Sequence, residues 1–106
     1  MPAFFPVLNL SPGDRVLHFP CGDGALCREI SPQVPLGVVV GMDPSDDNIR
    51  VARAAAHDLD NVMFICGDLS EIPWRDQYFT HAIIQQADAP LEQVRRVLAE
   101  DGKLIT

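Results

Sequence analysis

The stretch Val16-Leu17-His18-Phe19-Pro20-Cys21-Gly22-Asp23-Gly24 is followed, after a short helical segment, by Val38-Val39-Val40-Gly41-Met42-Asp43. The first reads as an apolar strand running into a glycine-bearing turn. The second reads as an apolar strand that ends on a carboxylate. Their separation is close to that of a dinucleotide fingerprint. Such a pair suits a ligand with a polar group over the turn and a ribose beside the carboxylate. A third apolar stretch, Val62 to Cys66, closes on Gly67-Asp68-Leu69. Together the three markers point to a nucleoside-containing cofactor.

The flanking sequence fills in an alternating pattern. Asn9 to Asp14 is turn chemistry, and Arg15 to Phe19 is a buried strand. Ala25 to about Ser31 predicts a helix with Leu26, Cys27 and Ile30 on one side, ended by Pro32 and Pro35. Leu36 to Met42 is apolar enough to be a strand covered on both faces. Ser45 predicts an N-cap, with Asp46 and Asp47 in the favourable first turn and Ile49, Ala52 and Ala56 at helical spacing. After the third strand, Pro73 and Trp74 fall in a loop and Phe79 to Ile84 forms a fourth strand. Pro90 opens a helix lined by Leu91, Val94, Val97 and Leu98, Gly102 closes it, and Lys103 to Thr106 begins a fifth strand. Strands alternating with helices predict an α/β fold, a Rossmann-like three-layer α/β/α domain with a mostly parallel sheet.

Composition narrows the partners. The 106 residues suffice for one small domain, and 47% of them are hydrophobic. Fifteen acidic residues against eight Lys and Arg give a formal net charge of −7. No basic patch is available for a nucleic-acid backbone or an anionic membrane surface. Cys21, Cys27 and Cys66 are too few and too scattered for a disulfide framework, and fit the reduced thiols of a cytoplasmic protein. His18, His57 and His81 are not at zinc-ligand spacing, so no metal site is expected. The opening Met-Pro-Ala-Phe-Phe-Pro-Val-Leu is apolar but short and lacks a basic start, unlike a signal peptide or a spanning helix.

At this level of detail the chain resembles the cofactor-binding portion of a class I S-adenosylmethionine-dependent methyltransferase, from about Leu10 to Thr106. Leu10-Ser11-Pro12-Gly13-Asp14-Arg15-Val16-Leu17 resembles that family's lead into the first strand. Cys21-Gly22-Asp23-Gly24 matches the glycine turn, and Gly41-Met42-Asp43-Pro44-Ser45 the second-strand motif. Cys66-Gly67-Asp68-Leu69 with Ile72-Pro73-Trp74 and Tyr78-Phe79 matches the third-strand motif and the approach to the fourth. Val94-Arg95-Arg96-Val97-Leu98 and Gly102-Lys103-Leu104 match the segments that follow.

The resemblance implies S-adenosylmethionine as cofactor and a methyl acceptor, with a small molecule favoured by the charge balance. Backbone groups of Cys21, Gly22, Asp23 and Gly24 would hold the cofactor's methionine end, where glycines permit close approach. Asp43 would accept from both ribose hydroxyls. Asp68 would take the adenine amino group, with the Leu69 amide nearby and Met42, Pro44 and Leu69 sandwiching the ring. Gln85 would lie near the methionine moiety or the acceptor. No general base is nominated, because displacement at a sulfonium methyl needs alignment and exclusion of water before it needs a proton acceptor.

The chain departs from the family pattern at three positions. His18 stands where an acidic residue is usual and removes a partner for the cofactor's ammonium. Pro20 replaces a glycine, and Thr80 an acid of the fourth strand. His18 and His81 sit in apolar strands and read as satisfied core histidines, while Arg95 and Arg96 read as a solvated helix face. Family members continue through two more strands. The resemblance therefore implies a sheet truncated after the fifth strand, in a piece of a longer chain or a short form completed by a homodimer or a partner chain. A non-catalytic relative that keeps the fold as a binding or scaffold module is the alternative. A nicotinamide enzyme fits poorly, since the third glycine of Gly-x-Gly-x-x-Gly is Cys27.

Overall fold

A five-stranded, all-parallel sheet in the order β3-β2-β1-β4-β5 forms the middle layer. The computed structural model describes residues 8–106. In chain order the elements are β1 (Arg15–Phe19), α1 (Ala25–Ile30) with a 3-10 turn (Ser31–Gln33), β2 (Val38–Asp43), α2 (Asp46–Ala55), β3 (Val62–Cys66), β4 (Phe79–Ile84), α3 (Glu92–Val97) and β5 (Leu98–Ile105). The apolar opening stretch, apart from Leu8, lies outside the described residues. No described helix is long and apolar enough to cross a membrane.

Both faces of the sheet are buried, which is why its strands are apolar runs rather than alternating ones. Neighbouring residues point to opposite layers. Val16, Val39, Phe64 and Ile83 pack on one side against Cys27 and Ile30 of α1 and Ile49, Ala52 and Ala56 near α2. Leu17, Val40, Met42, Ala82 and Ile84 pack on the other against Leu69 and Ile72 of the β3–β4 connection and Val94 and Val97 of α3. Each fully buried side chain of this size contributes about 1.5–3 kcal/mol.

β1, β3 and β4 occupy the residues expected of them, and Ser45 caps α2 by accepting from the Asn48 N–H at 3.2 Å. Several boundaries differ, among them the start of α3, at Glu92 and not Pro90, and that of β5, at Leu98 and not Lys103. β2 starts at Val38 instead of Leu36, and Leu36 is 83% exposed. The chain must first slip past the preceding turn at Gly37, where an added Cβ would lie 1.9 Å from the Asp14 carbonyl oxygen. The last helix stops at Val97, not at Gly102, and Leu98 is already paired with Phe79. Its closing carbonyls are captured from outside: the N–H of Gln77 donates to Arg96 O and that of Tyr78 to Val97 O. Ala99 to Gly102 are then absorbed in a register shift, after which Lys103 pairs with His81. Arg96 is no solvated face either. Its guanidinium donates to Ile72 O at 2.6 Å and Trp74 O at 2.9 Å and pairs with Asp76, fastening the β3–β4 connection over the second core.

Candidate functional site

The C-terminal tips of β1, β2, β3 and β4 lie side by side, and the turn after β1 is the most tightly specified of them. The Cys21 N–H donates to Met42 O at 2.9 Å, tying the turn to β2. Gly22 and Gly24 have φ values of +55° and +81°, the left-handed region in which a side chain is disfavoured. Space decides Gly24 as well: an added Cβ would meet the Phe64 ring at 2.7 Å and Ala52 Cβ at 3.1 Å. Gly41 leaves room for the same ring. Phe64 thus reaches from β3 across β2 to the turn, a role that sequence reading missed, although a large aromatic opposite two glycines was its signal. At Gly22, by contrast, an added Cβ would meet nothing within 4 Å, so this backbone is open to a ligand. The Asp23 side chain accepts from the Ala25 N–H at 3.1 Å and its carbonyl from Arg28, so Asp23 braces the turn against the first turn of α1.

Asp43 is the hub of the edge. It is 4% exposed, and its carboxylate accepts from the Gly22 N–H at 2.9 Å, the Ser45 N–H at 2.9 Å and Asn48 Nδ2 at 3.3 Å. It joins the turn after β1 to the N-terminus of α2. Two carboxylate oxygens offer about four acceptor positions, and three are filled. A first hydroxyl can be accepted directly, and a second requires the longest of these bonds, that of Asn48, to give way. Asn48 also was missed. It sits three residues after the N-cap, where a polar side chain commonly folds back on the helix start.

The next tip is built differently. Gly67 N–H donates to Asp43 O at 3.0 Å, and Asp68 follows it, exposed. Asp68 Oδ1 accepts from the Ser70 N–H at 2.8 Å and from the Ser70 hydroxyl, and these bonds hold its carboxyl below the usual range. Cys66, Gly67, Asp68, Ser70, Glu71 and Pro73 line an open depression of about 430 Å³. Pro44 is exposed beside it. Met42 and Leu69, expected to sandwich an aromatic base, do not: their side chains are 0% and 2% exposed and belong to the second core. Strand alternation turns Met42 inward, and the β3–β4 connection folds Leu69 beneath the sheet. Leu69 offers its backbone alone.

At the β1 and β4 tips one departure from the family pattern, His18, makes a contact with Gln85. His18, 4% exposed, places Nε2 2.5 Å from Gln85 Oε1, and Gln85 N–H donates to Phe19 O at 2.8 Å. Its Nδ1 lies 3.8 Å from Cys27 Sγ. Burial lowers the His18 pKa, against the opposing pull of Gln85 and Asp43, so the ring is neutral at pH 7. This is the satisfied core histidine expected from the sequence. His81 lies toward the opposite ends of the strands, with Nδ1 2.9 Å from Thr80 Oγ1 and 3.8 Å from Asp14, but its buried Nε2 has no hydrogen-bond partner among the described residues, so it is not the satisfied histidine expected. Burial also pushes the Cys21 thiol up to about 12 and raises that of Cys27, so neither is a nucleophile. Cys66 is exposed. Among the described residues no group of three or more His, Cys, Asp or Glu could hold a metal ion.

A parallel sheet of this order, with its polar groups gathered at the carboxyl ends of the strands, defines a Rossmann-like domain whose ligands bind along that edge. The methyltransferase domain family profile matches residues 16–102. The chain belongs to the class I S-adenosylmethionine-dependent methyltransferase family. It is 31% identical to a demethylmenaquinone methyltransferase of Lactobacillus johnsonii over 95% of this chain and 46% of that protein. Among solved structures, a SAM-dependent methyltransferase from Geobacter sulfurreducens in complex with S-adenosyl-L-homocysteine superposes with a TM-score of 0.75 at 28% identity, over 93% of this chain and 43% of the other. A SAM-dependent methyltransferase from Aquifex aeolicus shares the fold with a TM-score of 0.86 at 22% identity, over 95% and 59%. The chain spans less than half the length of the curated relatives it matches, 31% and 46% of the first two.

Proposed function

We propose that this chain is the cofactor-binding portion of a methyltransferase, and that S-adenosylmethionine binds along the tips of β1 to β4. The observation that carries the reading is the Asp43 carboxylate, fixed by the Gly22 and Ser45 N–H groups with an acceptor position left over. The residues fit the cofactor over its nucleoside half. Gly22 presents open backbone, Asp43 suits a ribose hydroxyl, and Asp68 with the Leu69 amide suits the adenine edge across the depression beside Pro44. Cys21, Asp23 and Gly24 shape the turn, and Gln85 stands at the methionine end. Bound there, the cofactor supplies an electrophilic methyl group on a sulfonium. The protein's part is to hold the nucleophile in line with the carbon–sulfur bond and to keep water out.

The acceptor in this reading is a small molecule. The chain's net charge of −7 disfavours a nucleic-acid backbone, and the relative from Lactobacillus johnsonii carries a small-molecule name. Among the described residues β5 pairs on one side only, with β4, so that edge is where a further strand would add, from the same polypeptide, a second copy or a partner. Titration calorimetry tests the cofactor reading. Heat is expected with S-adenosylmethionine and S-adenosylhomocysteine and none with NAD. No heat with either sulfur ligand would defeat it in favour of a scaffold module, the reading that His18 in place of the acid favours.

A further inference from the structure

His18 occupies the position from which the family's usual acid is missing, and the structure gives it a definite partner. We propose that His18 is a positioning residue: it grips the Gln85 carboxamide oxygen and so leaves the Gln85 amide N–H groups to read the carboxylate, not the ammonium, of the cofactor's amino-acid end. This rests on the cofactor reading above.

Burial keeps Cys27 a thiol, and its Sγ lies 3.8 Å from His18 Nδ1, within reach for the S–H to donate. With Nδ1 accepting, the neutral ring carries its proton on Nε2. That proton then meets Gln85 Oε1 at 2.5 Å, which fixes which end of the carboxamide faces the histidine. Among the described residues the Gln85 amide nitrogen makes no hydrogen bond, and Gln85 is exposed at the tip of β4 next to the turn. Its backbone is held as well, through its N–H to Phe19 O at 2.8 Å. The pair therefore presents two N–H donors and no negative charge. Asp43, whose charge bears on His18, is engaged by Gly22, Ser45 and Asn48. N–H donors match a carboxylate and offer nothing specific to an ammonium.

Calorimetry on the 106-residue chain separates the possibilities with three ligands: S-adenosylhomocysteine, its deaminated analogue, and 5′-methylthioadenosine, which lacks the amino-acid end. Gln85→Leu and His18→Leu are each expected to weaken S-adenosylhomocysteine about tenfold and to leave methylthioadenosine within about twofold. The double variant should be no weaker than Gln85→Leu alone, because the histidine acts through the glutamine. Deaminated ligand should bind wild type within about threefold of the parent. Equal losses for both adenosine ligands, additive losses in the double variant, or a large penalty for deamination would overturn the assignment. Ring-nitrogen NMR reads the pair without a ligand: the His18 proton is expected on Nε2, with a resonance that moves in Gln85→Leu. A proton on Nδ1 would refute the mechanism even if His18→Leu failed to fold. Wild type binding none of the three ligands would instead defeat the cofactor reading, and the NMR result would still decide the pair.

Discussion

Two aspartates at neighbouring strand tips have opposite constructions. Asp43 is buried and already holds three N–H donors from the turn after β1 and the start of α2. Asp68 is exposed and bonds only within its own turn, to Ser70. One carboxylate is part of the scaffold and has little capacity left for a ligand. The other has one oxygen engaged by Ser70 and one left over, and supports only its own turn. The contrast shows how this edge divides its work: rigidity is concentrated where β1 and β2 meet, and adaptability where β3 ends. A carboxylate that is pre-oriented by backbone amides loses little freedom when a hydroxyl arrives, whereas an exposed one must be ordered by the ligand itself.

The sharpest way to break the comparison is Asp43→Ala. Removing the carboxylate leaves two backbone N–H groups without their acceptor, a loss of about 3 kcal/mol that urea denaturation should read. S-adenosylhomocysteine affinity should fall in the same variant by at least about 1 kcal/mol. Unchanged stability would mean that Asp43 is no more structural than Asp68. Gly24→Ala comes next, since a methyl group there takes a left-handed φ and collides with Phe64 and Ala52. A destabilisation of about 2 kcal/mol is expected, with partial recovery on adding Phe64→Leu. Absence of recovery would place the cost in the backbone alone.

Acid should soften the rigid side first. The folded-state pKa of His18 lies below 6.5, mainly through burial, and so does that of His81. Above that pH both states are neutral and the histidines are indifferent. As pH falls below 6.5 the unfolded chain binds protons first, so stability decreases toward the lower folded-state values. Each histidine contributes a slope of up to about 1.4 kcal/mol per pH unit. Denaturation midpoints at pH 7.5 and 5.5 measure this, and a His18→Leu variant should show a flatter profile. Asp68→Ala closes the series with the smallest effect on the fold. Its denaturation midpoint should match wild type, while S-adenosylhomocysteine binding weakens about tenfold. A stability loss comparable to that of Asp43→Ala would erase the distinction.

Much of this edge was readable in advance. The glycine turn, the carboxylate ending β2 and the Gly67-Asp68 turn each announce themselves through short-range rules, and Ser45 does so through its cap. What escaped depended on contacts distant in sequence. Met42 and Leu69 looked available for a base because motif order does not say which layer a side chain enters. Arg96 looked solvated because three of its four acceptor groups lie 20 to 24 positions earlier. Leu98 looked helical because the apolar period continues through it, while the pairing with Phe79 that overrides the helix is nonlocal.

The amino-acid order by itself determined a parallel α/β layering, the places where the backbone must turn, and the carboxylates at the strand ends. Those follow from apolar runs, glycine's access to left-handed φ and capping chemistry, all properties of adjacent residues. Only the tertiary structure decided how many lone pairs Asp43 retains, where the last helix yields to β5, and that a histidine in β1 holds a glutamine after β4. Hydrogen-bond capacity and burial are settled by whichever distant groups the packed sheet brings within about 3 Å, and sequence proximity carries no record of them.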